Sequence, residues 1–194
     1  MTDTNITSKR GRPRKLDPKT GLDQALVLFQ KHGFENVSIA ELCATLAVTP
    51  TSLYATFGNK ESLFLQVLTL YESRFFEQLD KVLSQAENPS QMFRNSMEFA
   101  LDHFLNVNQR TSCLILLGDT YCRQENVNQQ IQNSRSRLVD KIQKRLTALG
   151  SESAAELADV LLTLMRGLAL SSKTNVDEDQ LYTSLEFFCT AFEC

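Results

Sequence analysis

The chain has 194 residues, of which 42% are hydrophobic, and its formal net charge is −3. This length fits one or two domains, and the apolar fraction is sufficient for a hydrophobic core. The polar first residues do not form a signal peptide, and no apolar run approaches the roughly 20 residues that span a bilayer. The five cysteines are an odd number and form no C-x-x-C pair. These features together predict a protein of a reducing cytoplasmic compartment.

The charge is distributed unevenly along the chain. Up to residue 60 there are eight Lys and Arg against five Asp and Glu, whereas the remaining 134 residues have twelve against eighteen. A basic N-terminal third attached to an acidic remainder is the asymmetry expected of a nucleic-acid-binding module joined to a different module.

Residues 1–14 are predicted to be a basic, disordered arm. Residues 9–15 contain five positive charges, and their Arg-Gly-Arg-Pro run resembles the core of an AT-hook, whose arginines enter a narrow A·T minor groove. Basic arms make such contacts in other helix-turn-helix proteins. The alternative is a tail that is held only by nonspecific attraction to phosphates. In both cases the candidate DNA contacts of the arm are Arg10, Arg12 and Arg14.

Prolines and glycines predict where the helices begin and end. Pro18, Pro50 and Pro89 each follow a capping residue, and proline suits the first position of a helix. Between Pro18 and Gly33 the apolar residues recur with the spacing i, i+3, i+4, i+7 of a helical face. No proline interrupts a helical pattern and no convincing alternating strand occurs, so the sequence predicts an all-α fold.

Residues 38–61 predict two short helices joined by a tight turn. Ser38 and Glu41 have the spacing of a capping box, which marks the start of a helix. A second helix follows the turn, with Leu53 and Phe57 on its apolar face. A helix-turn-helix places such a second helix in the major groove of DNA. An ordinary helical hairpin fits the same spacing, so spacing alone leaves both interpretations open.

Residues 15–75 resemble the DNA-binding domain of the TetR/AcrR family of bacterial transcriptional regulators. Six short motifs occur in the family's order and spacing: A-L-x-L-F at 25–29, G-F at 33–34, S-I-A at 38–40, V-T at 48–49, L-Y at 53–54 and F-x-x-K-E-x-L at 57–63. Three positions depart from the family pattern. Ala47 replaces the usual turn glycine, Thr56 stands where an aromatic residue or histidine is common, and Gly58 lies in the loop before the lysine.

The resemblance assigns DNA-contact roles to residues of this helix-turn-helix. The residues expected at base edges or thymine methyl groups are Thr49, Thr51, Ser52 and Ala55. Hydroxyl groups, a helix N-terminus and a lysine suit phosphate oxygens. The residues expected on phosphates are Ser38, Tyr54, Thr56 and Lys60. Tyr54 has the alternative of lying partly in the core, and the departure at Thr56 puts its phosphate contact in doubt.

The resemblance also implies that the three-helix DNA-binding domain is followed by a helical effector-binding and dimerisation domain at residues 76–194. A long fourth helix, from Lys60 to about Leu83, links the two. The last two helices are the most apolar, and in the family the corresponding helices of two subunits form a four-helix bundle. We therefore expect a homodimer through the last two helices, which suits a palindromic operator in double-stranded DNA. The alternative is that these apolar faces are intramolecular core.

The resemblance places the pocket for a small-molecule effector among the middle helices, and no cofactor or metal is expected. Polar or reactive groups within apolar stretches are His103, Cys113, Asp119, Tyr121, Cys122 and Arg166. For each one, a structural role in the core or on the surface is the stronger individual explanation. Cys113 and Cys122 allow a second hypothesis, a thiol-based redox sensor on the same fold, although free cysteine commonly serves as a small buried hydrophobe.

The sequence therefore predicts a sequence-specific DNA-binding transcriptional regulator, with repression relieved by a small-molecule effector. It is not expected to be an enzyme, because it has only two histidines and no Gly-rich phosphate loop, paired-carboxylate motif or nucleophile elbow. The alternative from another class is a helical protein-interaction module that no longer reads a specific DNA sequence. Salt-dependent, sequence-selective binding to a palindrome separates the two.

Overall fold

The computed structural model describes residues 17–105, 112–118, 122–173 and 177–192, without the side chains of residues 191 and 192. Within these ranges the chain forms nine helices and no strand, as the all-α prediction requires. In chain order they are α1 Pro18–Asn36, α2 Ile39–Leu46, α3 Pro50–Phe57, α4 Lys60–Gln85, α5 Pro89–Leu105, α6 Leu114–Leu117, α7 Glu125–Ala148, α8 Ala154–Ser171 and α9 Glu178–Phe192. Among these helices, none combines the length and apolar character that a bilayer span requires.

The first helix begins at its predicted cap and is kinked at its predicted end. The Asp17 carboxylate accepts the Thr20 N–H at 3.0 Å and the Thr20 hydroxyl at 2.6 Å, which satisfies a free amide at the start of α1. Gly33 has φ 75° and ψ 166°, which interrupts the helical backbone. One further turn follows this kink up to the end of α1, so Gly33 bends the segment without ending it.

Helices α1 to α3 and the first turns of α4 form the N-terminal part of the molecule, which we name the head. Its core contains three buried aromatic rings, Phe29, Phe34 and Phe64. The Phe64 ring meets each of the other two edge-on, at centroid distances of 5.1 Å. Each such pair contributes about 0.5–1.5 kcal/mol of stabilisation beyond that from burial of the rings. Because Phe64 belongs to α4, this cluster fixes the start of α4 within the head.

Helix α4 also belongs to the body, which we define as the remainder of α4 together with α5 to α9. It packs against α1 in the head and against α5 and α7 in the body. Its buried stripe runs from Leu63 to Leu79 and then continues at Leu83, whereas Val82 is only half-buried. A four-residue step keeps Leu79 and Leu83 on one helical face. The predicted domain boundary between residues 75 and 76 lies inside this continuous helix.

Polar contacts fasten α4 to α7 along their length. Arg137 donates to the Glu72 carboxylate at 2.7 Å, and Lys141 donates to Asp80 at 2.7 Å. Burial acts to raise the pKa of Glu72, but the hydrogen bonds led by Arg137 outweigh it and lower the pKa. Arg145 donates to two backbone carbonyls at the end of α4, at 3.0 and 2.6 Å. Exposed ion pairs contribute only about 0–1 kcal/mol each, so they mainly align the two helices.

The last two helices are amphipathic rather than buried on all sides. Leu161 and Met165 of α8 and Leu185 of α9 are buried. Phe188, which the apolar pattern groups with them, is 49% exposed, and its neighbour Phe187 is 76% exposed. The other large apolar side chains that α8 and α9 expose are Val160, Leu170 and Tyr182. A single chain therefore leaves apolar surface uncovered on these two helices.

Candidate nucleic-acid interface

The helix-turn-helix begins with the predicted capping box. Ser38 Oγ accepts the Glu41 N–H at 3.1 Å, and the Glu41 carboxylate accepts the Ser38 N–H at 2.7 Å and the Ser38 hydroxyl at 2.8 Å. These hydrogen bonds, the backbone one foremost, lower the pKa of Glu41. They satisfy backbone groups that have no partner within α2. The Ser38 hydroxyl thus has a structural role in the free protein, in an exposed position that a phosphate can reach.

Ala47 forms the turn between α2 and α3 in the left-handed conformation, at φ 53° and ψ 44°. In the part of the chain that the structure describes, it is the one non-glycine residue with a positive φ. The following Val48 N–H donates to the Cys43 carbonyl at 3.0 Å, which closes the turn. The left-handed conformation costs an L-residue about 1–2 kcal/mol. Alanine in place of the family's usual glycine therefore makes the turn less stable but leaves its left-handed geometry intact.

Helix α3 has one buried face and one exposed face. Leu53 and Phe57, one turn apart, are buried against the rest of the head. On the other side and at the cap, the exposed residues are Thr49, Thr51, Tyr54, Ala55 and Thr56, with Ser52 half-buried. Tyr54 is 47% exposed, which places its ring on the surface and not in the core. The structure thus gathers the residues predicted to face the groove on the solvent side of one short helix.

The hydroxyl groups of α3 differ in how far they are already hydrogen-bonded. Thr49 Oγ1 accepts the Ser52 N–H at 3.2 Å as the helix cap and lies 3.1 Å from Ser52 Oγ. Thr56 Oγ1 donates to the Ser52 carbonyl at 2.9 Å, so its proton is used within the helix and is not directed at a phosphate. Thr51 forms no hydrogen bond through its hydroxyl with the described residues. Among the three hydroxyl groups predicted to lie at base edges, those of Thr49, Thr51 and Ser52, that of Thr51 is therefore the most available.

Lys60 lies at the start of α4 with its ammonium directed back at α1. Its Nζ donates to the Glu35 carbonyl at 3.3 Å and lies 4.4 Å from the centroid of the Phe34 ring. Partial burial is the main cause of a lowered Lys60 pKa, and the nearby Glu35 charge opposes that shift. The sequence motif predicted a phosphate contact for Lys60 but gave no sign of these partners, because they lie 25 residues away in the chain. The predicted arginines of the arm, Arg10, Arg12 and Arg14, lie outside the described residues.

Comparison with known proteins identifies the family. The family model for bacterial regulatory proteins, tetR family, matches residues 22–67. The HTH-type transcriptional repressor BdcR of Escherichia coli (strain K12) is 29% identical over 175 residues, which cover 88% of this chain and 86% of BdcR. A structure of a cysteine mutant of the TetR family transcriptional regulator CifR with 26-base-pair operator DNA superposes with a TM-score of 0.84, at 26% identity, over 93% of this chain and 99% of CifR. Residues 22–67 thus match the tetR-family model, and the chain is similar over most of its length to a TetR-family regulator.

The tetR-family match at residues 22–67 and the similarity to BdcR and CifR show a DNA-binding transcriptional regulator, as the sequence predicts. A second relative, the HTH-type transcriptional repressor ComR of Escherichia coli (strain K12), is 38% identical over 102 residues, 51% of this chain and 44% of ComR. Both relatives are named as transcriptional repressors. Within the described ranges, no group of three or more His, Cys, Asp or Glu side chains is placed to hold a metal ion.

The six residues predicted to line an effector pocket do not form one site in the described structure. Asp119 and Tyr121 lie outside the described residues. Arg166 is exposed on α8, roughly 100° around the helix from the buried Met165. Cys122 lies at the junction of head and body. The remaining two, His103 and Cys113, meet in the core of the body.

Tyr71 of α4 lies between His103 and Cys113, and the sequence pattern did not identify it as a site residue. The Tyr71 hydroxyl lies 3.2 Å from His103 Nε2, and the Cys113 thiol is near enough to the same hydroxyl to influence its pKa. Burial raises the pKa of Tyr71 and of Cys113 and lowers the pKa of His103. All three groups are thereby held neutral near pH 7. The contact between α4 and α5 that creates this cluster spans 32 residues of chain, which is why the sequence pattern did not predict it.

Proposed function

We propose that this TetR-family regulator is a repressor that binds a palindromic operator as a homodimer and releases it when a small-molecule effector binds. The observation that carries the proposal is the exposed face of α3, opposite the buried Leu53 and Phe57. Repression is supported by the names of BdcR and ComR, which are both HTH-type transcriptional repressors. Operator binding is supported by CifR, whose structure contains operator DNA.

The proposed contacts divide by chemistry into base reading and phosphate binding. Hydroxyl and methyl groups on the exposed side of α3 read base edges and thymine methyl groups; they belong to Thr49, Thr51, Ser52 and Ala55. The groups proposed on phosphates surround this helix and include the arm; they belong to Ser38, Tyr54, Thr56, Lys60, Arg10, Arg12 and Arg14. Thr56 must exchange its internal hydrogen bond for the phosphate contact, whereas Lys60 uses one of its three N–H donors on the Glu35 carbonyl and keeps two others.

The uncovered apolar surface of α8 and α9 supports the homodimer. Phe187 and Phe188 are mostly solvent-exposed in the single chain, together with Val160 and Leu170. Exposed apolar surface of this kind marks an association site, and two copies of a helix pair form a four-helix bundle. A two-fold dimer presents two copies of α3, which is the symmetry of a palindrome.

The continuous helix α4 supports coupling between an effector and the operator. Its start is fixed to α1 by the Phe29, Phe34 and Phe64 rings, and its end is fastened to α7. A displacement of the body therefore moves the head. Because the half-sites of a palindrome have fixed spacing on the duplex, a small change in head separation prevents simultaneous docking. If the operator lies on a bacterial chromosome, as the proposal implies, the protein acts in the cytoplasm.

The thiol-sensor hypothesis receives less support. Burial raises the pKa of both Cys113 and Cys122, and a reactive cysteine needs a lowered pKa because the thiolate is the nucleophile. The protein-interaction alternative does not require the pattern of hydroxyl and methyl groups that α3 exposes. We therefore retain operator binding as the proposed function.

Selection of DNA from a random duplex pool by the full chain tests the proposal. We expect enrichment of an inverted repeat with half-sites about one or more helical turns apart. Thr51→Val, which removes a hydroxyl and keeps the side-chain shape, should change the enriched bases. Thr147→Val, at an exposed threonine near the end of α7, is the matched control and should return the wild-type sequence. A pool without an enriched motif would refute sequence-specific binding.

A further inference from the structure

A cavity of 340 Å³ lies where the head meets the body. From the head, Phe34 of α1 and Phe64 of α4 contribute to its wall, and from the body, Leu114 and Leu117 of α6 contribute. Lys173, just after α8, lies at its rim. The volume falls at the small end of the range of ligand pockets, and the apolar wall with a few polar groups is the composition of such pockets. We name it the junction cavity.

Two lysines line the junction cavity. Lys31 and Lys173 both line it, and neither forms an ion pair with the residues that the structure describes. The neighbouring protein partly desolvates the Lys173 ammonium and lowers its pKa. The one carboxylate among the described lining residues is Glu35, whose Oε1 accepts the Arg123 N–H at 2.6 Å and whose charge also faces Lys60.

We propose that the junction cavity binds a small amphipathic carboxylate, with its anionic end between Lys31 and Lys173 and its apolar end against the Phe and Leu wall. An ammonium–carboxylate contact is a charge-assisted hydrogen bond, and it supplies a counter-charge for the two lysines. The apolar end leaves water and packs on the apolar wall, where Leu117 is half-buried and Leu170 is 56% exposed. This inference rests on the proposed function, because it identifies this ligand class as the effector.

Occupancy of the junction cavity is coupled to the position of the head. Beside the cavity, the Ser112 N–H of the body donates to the Gln30 carbonyl of α1 at 2.9 Å, and the Arg123 N–H donates to Glu35. The walls thus move relative to each other whenever the head moves relative to the body. A ligand that fits one arrangement shifts the population toward it. By linkage, operator DNA and ligand must weaken each other's binding by the same factor.

Calorimetric titration of the full chain with octanoate, butanoate and octanamide tests the ligand class. Octanoate should bind at least roughly tenfold more tightly than octanamide, because only the carboxylate supplies a charge. It should bind roughly a hundredfold more tightly than butanoate, because four further methylenes are buried. Equal affinity of octanoate and octanamide, or no saturable binding of octanoate in the millimolar range, would overturn the proposal.

Variants locate the site. Lys31→Gln and Lys173→Gln each remove one charge from an exposed position, so the fold should be retained. Each substitution should weaken the binding of octanoate at least severalfold and leave the binding of octanamide unchanged. Lys144→Gln, at an exposed lysine of α7, is the matched control and should bind octanoate as the wild type does. Octanoate binding that is unchanged in both cavity variants would place the ligand elsewhere and contradict the assignment.

Titration of the selected operator with and without octanoate separates this inference from the proposed function. Octanoate that binds the cavity and weakens operator binding supports both. A protein that binds its operator but not octanoate refutes the inference alone. A protein that binds octanoate but no palindrome refutes the proposed function and, with it, the role of the ligand as effector. Octanoate binding that leaves operator affinity unchanged likewise refutes the effector role.

Discussion

At the scale of residues, the composition of α3 suits the proposed reading of bases and does not suit electrostatic attraction to phosphates. Its eight residues, PTSLYATF, include no charged side chain. Hydroxyl and methyl groups on such a helix read base edges, whereas the salt-dependent part of DNA binding comes from Lys and Arg. In this chain those cations are Lys60 and the basic arm that precedes α1. Specificity and affinity are therefore assigned to different residues.

This division predicts different effects for Thr51→Val and Lys60→Gln. Loss of the Thr51 hydroxyl should change the preferred base at one position of each half-site, by about 1–3 kcal/mol of discrimination. Loss of the Lys60 charge should weaken binding equally on all duplexes and reduce the salt slope by about one. Fluorescence anisotropy on a panel of operator variants at several salt concentrations measures both. The assignment of roles is wrong if the two variants give the same pattern across the panel.

The turn residue Ala47 gives a stability prediction. Ala47→Gly removes left-handed strain of about 1–2 kcal/mol, and the greater freedom of glycine in the unfolded chain offsets about 0.4–1 kcal/mol of that gain. We expect the free energy of unfolding in urea to rise by about 0.5–1 kcal/mol. Ala44→Gly, at an exposed position within α2, is the control and should lower it by about 1 kcal/mol. Destabilisation of equal size by both substitutions would contradict the strain at Ala47.

At the scale of elements, α2 depends on the charge of Glu41. Because the folded pKa of Glu41 is lowered, ionised Glu41 stabilises the native state above the unfolded pKa, and that stabilisation disappears as pH falls through the folded pKa. The wild type should therefore be more stable than Glu41→Gln at pH 7. The difference should vanish in acid, as urea unfolding at a series of pH values will show. A difference that is constant across pH would mean that the charge has no part in the cap.

The elements themselves were largely predictable because their signals are local. The prolines at 18, 50 and 89 each begin a helix, and the Ser38 capping box begins α2 where its spacing indicates. Long-range placement was not predictable in the same way. The contacts of Lys60 with α1, the Tyr71–His103 hydrogen bond and the outward direction of Arg166 depend on how helices pack. The DNA-contact and effector roles of individual residues remain predictions.

At the scale of the whole molecule, the proposed dimer brings two heads to one operator, and this proposal makes the apolar face of α8 and α9 part of the DNA-binding function. Phe187→Glu places a charge at a side chain that is 76% exposed in the single chain. The fold should survive, because this side chain is not in the core, but the dimer should dissociate. Analytical ultracentrifugation should find a monomer, and binding to the palindrome should fall to the level of a single half-site. The control Lys144→Glu, at an exposed residue of α7, should remain dimeric. If the Phe187→Glu protein is still a dimer, the interface does not include this face of α9.

The most direct test of operator recognition is a comparison of two duplexes of identical composition, the selected palindrome and a version with both half-sites scrambled. Anisotropy titrations at physiological salt should give an affinity for the palindrome that is at least about a thousandfold higher, with one dimer per duplex, because specific sites exceed nonspecific DNA by that margin or more. Both affinities should fall as salt rises. Equal affinity for the two duplexes would contradict the claim that the exposed face of α3 reads a DNA sequence.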